Sequence, residues 1–478
     1  MPFAPNGVAN FFQETRTNFI IELKGMFIIM QKITSRKKLL LYGCSGLGVN
    51  MLNIIIGSYL CSALVAGGFV DHIAEWTYAG KDLVIPAVWG VIILVTKIID
   101  GVIDLPFASF TDRLKTRWGR RRPSIVIGFV PMLISFSLFL LPLSPDEGML
   151  NTVWFGIMLG IFYCFYTLTM LTFYATFAEV VDNEQDMLFL SNVKSVCDVV
   201  YFSLGFALIP AFISMGINIR IIALIFMPLS LTMLIPLFLL KERPTDGSDK
   251  DALEGMEIKT LTLGKAITES FKNKTFIFWM LIAAVLNFGM QLFLGGINEV
   301  FSTVGLNMTV VMACSFAPVP FTILLYNKAV KKWGLGVAFP GVLYIFSIGM
   351  VVMFLCNRIG PTVSEGVLTV IAVAGSLFVS LSLGAFFSIT YTVPSHLAQL
   401  EYERTGIGVS SMYFAVQGLF EGVAAGLATG PMLMLLKDFN RIELLPLVVI
   451  AACSVALIMS LALPKTVSGM GKLQSEKK

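Results

Sequence analysis

Twelve stretches of this chain are apolar for about 20 residues or more, long enough to cross a bilayer as helices. Their limits are 39–66, 83–110, 123–143, 152–179, 193–215, 218–240, 275–303, 306–326, 335–356, 364–393, 407–436 and 441–463. In hydrocarbon, a spanning backbone must satisfy its own hydrogen bonds, so segments of this length and number read as helices. Several exceed 25 residues and are expected to tilt or bend.

The composition agrees. Of 478 residues, 13% are charged, against roughly 25% in soluble domains, and the mean hydropathy is +0.83. The net charge of +4 carries no nucleic-acid signature. Seven cysteines (Cys44, Cys61, Cys164, Cys197, Cys314, Cys356 and Cys453) lie scattered in apolar runs without a CxxC pair. They read as small hydrophobes. The two histidines, His72 and His396, are far apart, so neither a zinc nor a haem site is expected. No cleavable signal peptide is evident, because Glu22 and Lys24 interrupt the first apolar run. No Walker loop, His-Glu-x-x-His or Gly-x-Ser-x-Gly motif is present, which disfavours ATP-driven transport and hydrolase chemistry by this chain.

The connections alternate in charge. With the N-terminus inside, the inner segments hold 27 Lys and Arg and the outer ones five. The positive-inside rule then places both termini in the cytoplasm of a multi-pass cell-membrane protein. The longest polar break, 241–274, falls after the sixth span. The expected organisation is a cytoplasmic lead-in (1–38), a six-helix bundle (39–240), a cytoplasmic linker (241–274), a second six-helix bundle (275–463) and a cytoplasmic tail (464–478). An internal echo supports a duplicated plan. The basic stretches 112–119 and 327–334 follow spans two and eight, and both end in Trp-Gly. Six plus six spans with an inner linker is the plan of carriers that rock two halves around a central site.

Span two carries the strongest chemical signal. Lys97, Asp100 and Asp104 share one helical face within an apolar run. Counting inward from Asp112 at 1.5 Å per residue, Asp104 and Asp100 lie about 12 and 18 Å deep. Ionised groups there are costly and mark functional sites by default. Two carboxylates one turn apart repel, so the pair suits a proton or a small hard cation with oxygen ligands. A buried Lys97–Asp100 pair is the purely structural alternative.

The run from Lys97 to Pro123, ending Gly-Arg-Arg-Arg-Pro, resembles the glycoside–pentoside–hexuronide:cation symporters, a branch of the major facilitator superfamily that includes the melibiose permeases. The similar plant sucrose:proton carriers share that ending. A second stretch, around 394–422, also looks like family members. The resemblance implies an all-α membrane protein of the major facilitator fold. It further implies a coupling-cation site at Asp100, Asp104 and Thr167, with sodium or a proton as the coupling ion. Lys97 occupies the place of a family arginine in the same polar network. Asn50 and Met170 stand where the melibiose permeases have sugar-binding aspartates, and Glu421 stands where a family lysine lies. The sugar specificity of the melibiose permeases is therefore not carried over. Tyr174 matches a family aromatic that stacks on sugar rings.

Other polar pairs within spans add candidates for the substrate path. Lys194 and Asp198 form an i,i+4 pair in span five, Asn287 and Gln291 share a face in span seven, and Gln417 and Glu421 share one in span eleven. The basic loop from Asp112 and Arg113 through Arg117 to Arg120, Arg121 and Arg122 anchors its side of the membrane and is expected to clamp helix ends as a gate. The reading is a sugar or glycoside symporter working by alternating access. It has no enzymatic activity, no cofactor beyond the coupling ion, no nucleic-acid partner, and works as a monomer in the lipid bilayer. The alternatives are a carrier of a different small solute and a membrane sensor that binds solute without moving it.

Overall fold

A computed structural model describes residues 31–69, 74–181, 184–245, 271, 273–302, 306, 308–405 and 410–470. The lead-in through residue 30, His72, most of the linker and the tail from 471 lie outside the described residues. Among the described residues, twelve helices are long and apolar enough to cross a membrane. They are α1 (Arg36–Ala63), α2 (Pro86–Arg113), α3 (Arg121–Phe139), α4 (Met149–Ala175), α5 (184–214), α6 (Ile219–Leu239), α7 (Lys274–Ser302), α8 (Val310–Trp333), α9 (Leu335–Thr362), α10 (Glu365–Thr405), α11 (410–438) and α12 (Ile442–Leu461). Outward-facing side chains such as Phe238 (82% exposed) and Ile458 (68%) form the apolar surface that lipid requires.

Two boundaries differ from the sequence expectation in instructive ways. The stretch 327–334, expected as a loop, is helical to Trp333 and stops at Gly334. Gly334 has φ +81°, and Gly119, the other half of the Trp-Gly echo, has φ +87°. Both glycines adopt the left-handed conformation that a residue with Cβ resists, and both release the chain directly into the next helix. The eleventh helix runs to Asp438, which places Lys437 inside it rather than in a loop.

Small residues set how closely the helices pack. In the first half, a Cβ on Gly128 of α3 would lie 2.3 Å from Thr169 Oγ1 of α4. In the second, a Cβ on Gly349 of α9 would lie 2.9 Å from Val379 of α10. The same contact thus recurs six helices later. Two close seams, among other contacts, join the halves. At α5 and α8, the rings of Phe206 and Phe316 stack with centroids 4.5 Å apart. At α2 and α11, running antiparallel, the backbones nearly touch. A Cβ on Gly430 would lie 2.3 Å from the Gly90 carbonyl oxygen, one on Gly422 3.2 Å from the Lys97 oxygen, and one on Gly101 3.2 Å from the Leu419 Cα. Wider turns at 55–60, 204–208 and 428–432 interrupt α1, α5 and α11. Such turns rotate the faces beyond them and recur at functional sites.

Candidate functional site

The polar residues of span two face its neighbours as follows. Thr167 of α4 donates its hydroxyl hydrogen to Asp100 Oδ1 at 2.5 Å. Asp104 lies one turn further along α2 and is half-buried. The Lys97 ammonium sits 3.7 Å from the centroid of the Tyr163 ring, a cation–π contact that partly replaces its lost hydration. Among the described residues, none of Lys97, Asp100 and Asp104 closes an ion pair. The purely structural Lys97–Asp100 bridge is therefore not formed. Two carboxylates and a hydroxyl on adjoining helices supply hard oxygen donors of the kind a small cation takes.

A neutral hydrogen-bonded group lies on α1 and α4. Tyr166 donates to Asn50 Oδ1 at 2.8 Å, while Asn50 Nδ2 donates to the Tyr174 hydroxyl at 3.3 Å. Asn53 Nδ2 reaches the Tyr166 hydroxyl at 3.3 Å. The Lys194 ammonium lies 5.3 Å from the Tyr174 ring and pairs with Asp198. Amides and phenols in this arrangement can both donate to and accept from hydroxyl groups. Met170 is buried and faces Gly46 of α1, whose Cβ position lies 3.3 Å from the Met170 methyl, so it packs α4 against α1. Asn53 and Tyr166 join the network although neither stands out in the sequence as a substrate residue. Their i, i+3 and i, i+8 spacing from Asn50 and Tyr174 was the available signal.

A second polar group belongs to α7, α10 and α11. Trp279 Nε1 donates to Gln417 Oε1 at 3.1 Å. Gln417 Nε2 donates to the Thr390 carbonyl at 2.9 Å and to Glu421 Oε1 at 2.8 Å. Asn287 Nδ2 donates to the Glu421 backbone oxygen at 2.7 Å.

The basic loop splits by residue. Arg120 and Arg121 are buried and converge on Glu179 in the short helical turn Phe177–Val180 that follows α4. Arg121 reaches it bidentately, Nη2 to Oε1 at 2.6 Å and Nε to Oε2 at 3.2 Å. Arg121 Nη1 also donates to the Thr111 hydroxyl at 3.3 Å. These bonds tie together the ends of α2, α3 and α4 within one half. Backbone N–H groups of Arg121 and Arg122 donate to Glu242 at 3.0–3.1 Å, so this carboxylate from beyond α6 caps the start of α3. Burial raises the Glu242 carboxyl above its ordinary value, and the N–H donors offset this in part. Arg117 is exposed and lies over Trp118 at 5.1 Å. The side chains of Asp112 and Arg113 lie outside the described residues.

At the opposite end of the bundle lies a cluster that sequence reasoning missed. Lys437 of α11, Glu299 of α7 and Ser62 of α1 are buried together. Lys437 Nζ donates to Ser62 O and Oγ, both at 2.9 Å, and pairs with Glu299 Oε1 at 3.2 Å. Ser62 in turn donates to Glu299.

A sequence profile of the family described as MFS/sugar transport protein matches residues 41–464. Sequence comparison with curated proteins finds no match. Among solved structures, a D-xylose-proton symporter is similar with a TM-score of 0.61 at 15% identity, over 91% of this chain and 98% of that one. The nucleoside transporter NupG gives 0.54 at 14% identity, over 91% and 99%. A bacterial homologue of the iron transporter ferroportin, in an inward-facing state, gives 0.59 at 13% identity, over 90% and 98%. At these identities the likeness shows the fold alone, and together with the matching family profile it is the fold of the major facilitator superfamily.

Proposed function

This chain belongs to the MFS/sugar transport protein family, and from that membership we propose that it is a sugar or glycoside:cation symporter working by alternating access. The observation that carries the reading is the hydrogen bond from Thr167 to Asp100, one turn from Asp104, with no fixed cation on either carboxylate among the described residues. Negative charge held this way in an apolar helix is stable only with a mobile positive partner. Sodium or a proton fills that role as a co-substrate.

The sugar is held between the halves by the neutral Asn50–Tyr166–Tyr174 group on one side and the Gln417–Glu421 group on the other. Cation binding at Asp100 and Asp104 offsets their repulsion and fixes α2 against α4. That ordering favours sugar binding, and sugar tightens cation binding by the same factor. With both bound, the halves 39–240 and 275–463 rock about the α2–α11 and α5–α8 seams. The working unit is a monomer in the cell membrane, with both termini and the Arg120–Glu179 end of the bundle on the cytoplasmic side. The fold neighbours include carriers of xylose and of nucleosides, so the solute is to be found by assay.

The test is uptake by purified, reconstituted protein across a panel of sugars, with sodium or pH gradients imposed. Gradient-driven accumulation of a sugar supports symport. Uptake that only equilibrates, unaffected by either gradient, makes the protein a facilitator. Binding without uptake makes it a sensor.

A further inference from the structure

Away from the helix ends, the described charged side chains within the twelve spans sort into two groups. Lys194 pairs with Asp198, and nearer the ends of α11 and α7 Lys437 pairs with Glu299. Lys97, Asp100, Asp104 and Glu421 remain, and none of them closes an ion pair among the described residues. One ammonium against three carboxylates leaves two negative charges uncompensated in a low-dielectric interior. A single coupling cation at Asp100 and Asp104 meets one of them.

We propose that Glu421 binds a proton of its own, as a second positive-charge site on the opposite half of the carrier. Its place supports this. Gly422, the next residue, packs against the Lys97 carbonyl and Gly101 of α2, so Glu421 lies on the partner helix at the height of Asp100. Its surroundings suit a proton better than an ion. Trp279 Nε1 can only donate, so its bond fixes Gln417 Oε1 as the acceptor and aims the Gln417 NH2 at Glu421 Oε1. That gives Glu421 one oriented donor on Oε1. Asp100 by contrast has a hydroxyl and a second carboxylate nearby.

The charged and titratable groups on the helices packed against α11 are few. Helix α2 brings Lys97, Asp100 and Asp104, with Asp112 and Arg113 at its end. Helix α7 has none between Lys274 and Glu299. Helix α10 has Glu365 at its start, Tyr391 and His396 further along, and Glu401, Tyr402, Glu403 and Arg404 at its end. His396 meets the Thr466 carbonyl at 3.2 Å. In the step itself, a proton from water on the open side bonds to the Glu421 carboxylate. The same O–H bond breaks when the site opens to the other side, and the carboxylate is restored.

The site rests on the transporter reading but is read out separately. Infrared difference spectroscopy of purified protein in liposomes, titrated with acid and base alone, follows the C=O stretch of protonated carboxyls. A protonated band near neutral pH is expected in the wild type, lost in Glu421→Gln and kept in Glu421→Asp and Asp100→Asn, all with wild-type melting curves. A wild type without such a band, or a band unchanged in Glu421→Gln, overturns the proposal. If Glu421→Gln melts early, the Glu421→Asp band must shift in frequency with unchanged stability, and failure to shift also overturns it. The coupling site is tested independently by sodium titration of intrinsic fluorescence in Asp100→Asn.

Discussion

Lys437 and Glu299 form a fully buried ion pair within the second half of the molecule, and that pair grips Ser62 of the first half. A charge pair away from water contributes little net stability, because desolvation offsets attraction. Removing one partner is a different matter. Its position at one end of the bundle, where α1, α7 and α11 converge, makes it a latch across the two halves.

Lys437→Met is expected to destabilise the protein by about 3–5 kcal/mol, since it strands the Glu299 carboxylate. Adding Glu299→Gln should recover most of that loss while leaving the two halves less firmly joined. Thermal melting in detergent reads the first effect. Cysteine accessibility near Ser62 reads the second, and an additive double mutant would rule the latch out.

Thr167→Val is close to isosteric and removes the hydroxyl donated to Asp100. A hydrogen bond to a charged group contributes roughly 1.5–3 kcal/mol, so affinity for the coupling cation should fall about 10- to 100-fold. Sugar counterflow without a gradient should persist. Asp100→Asn and Asp104→Asn should each abolish gradient-driven accumulation. Intact accumulation in either variant would count against the coupling site.

Gly430→Ala places a methyl group 2.3 Å from the Gly90 carbonyl oxygen, which is backbone and cannot rotate away. Overpacking of this kind costs about 1–3 kcal/mol. Gly160→Ala in α4 meets nothing within 4 Å and should be neutral or stabilising by about 0.5–1 kcal/mol. Paired melting curves check both, and equal effects would argue against the α2–α11 contact.

Glu179→Gln leaves two buried guanidinium groups without their shared carboxylate and should cost about 3–5 kcal/mol. Arg121→Lys should recover only part of wild-type stability, because an ammonium cannot reproduce the bidentate fork. Arg117→Gln, at an exposed position, should change stability by less than about 0.5 kcal/mol. Denaturant melts of the three variants side by side check the ranking.

Glu242 provides a pH-dependent test. Its carboxyl is raised by burial in the folded protein. Between the ordinary carboxylate range and that raised value, the folded chain keeps a proton the unfolded chain has released. Stability therefore falls as pH rises through this window. Glu242→Gln should flatten that slope, as measured by melting temperature across a pH series.

The sequence alone determined the number of helices, because a backbone in lipid has to close its own hydrogen bonds and apolar length reveals where. It also determined Asp100 and Asp104 as the place to look, because charge so deep in an apolar run is too costly to keep without a role. The Trp-Gly echo was legible too, since a left-handed turn selects glycine at both Gly119 and Gly334. Thr167 was available only through resemblance, as nothing in a lone threonine of an apolar helix announces a partner 67 residues away. Lys437 looked like a loop residue near the end of an apolar run. Only the convergence of α1, α7 and α11 buried it and supplied Glu299 and Ser62. The same holds for Met170, whose packing against Gly46 depends on where α1 lies. Periodicity and charge are local properties of a chain, whereas burial and pairing belong to surfaces that meet only after the helices have assembled.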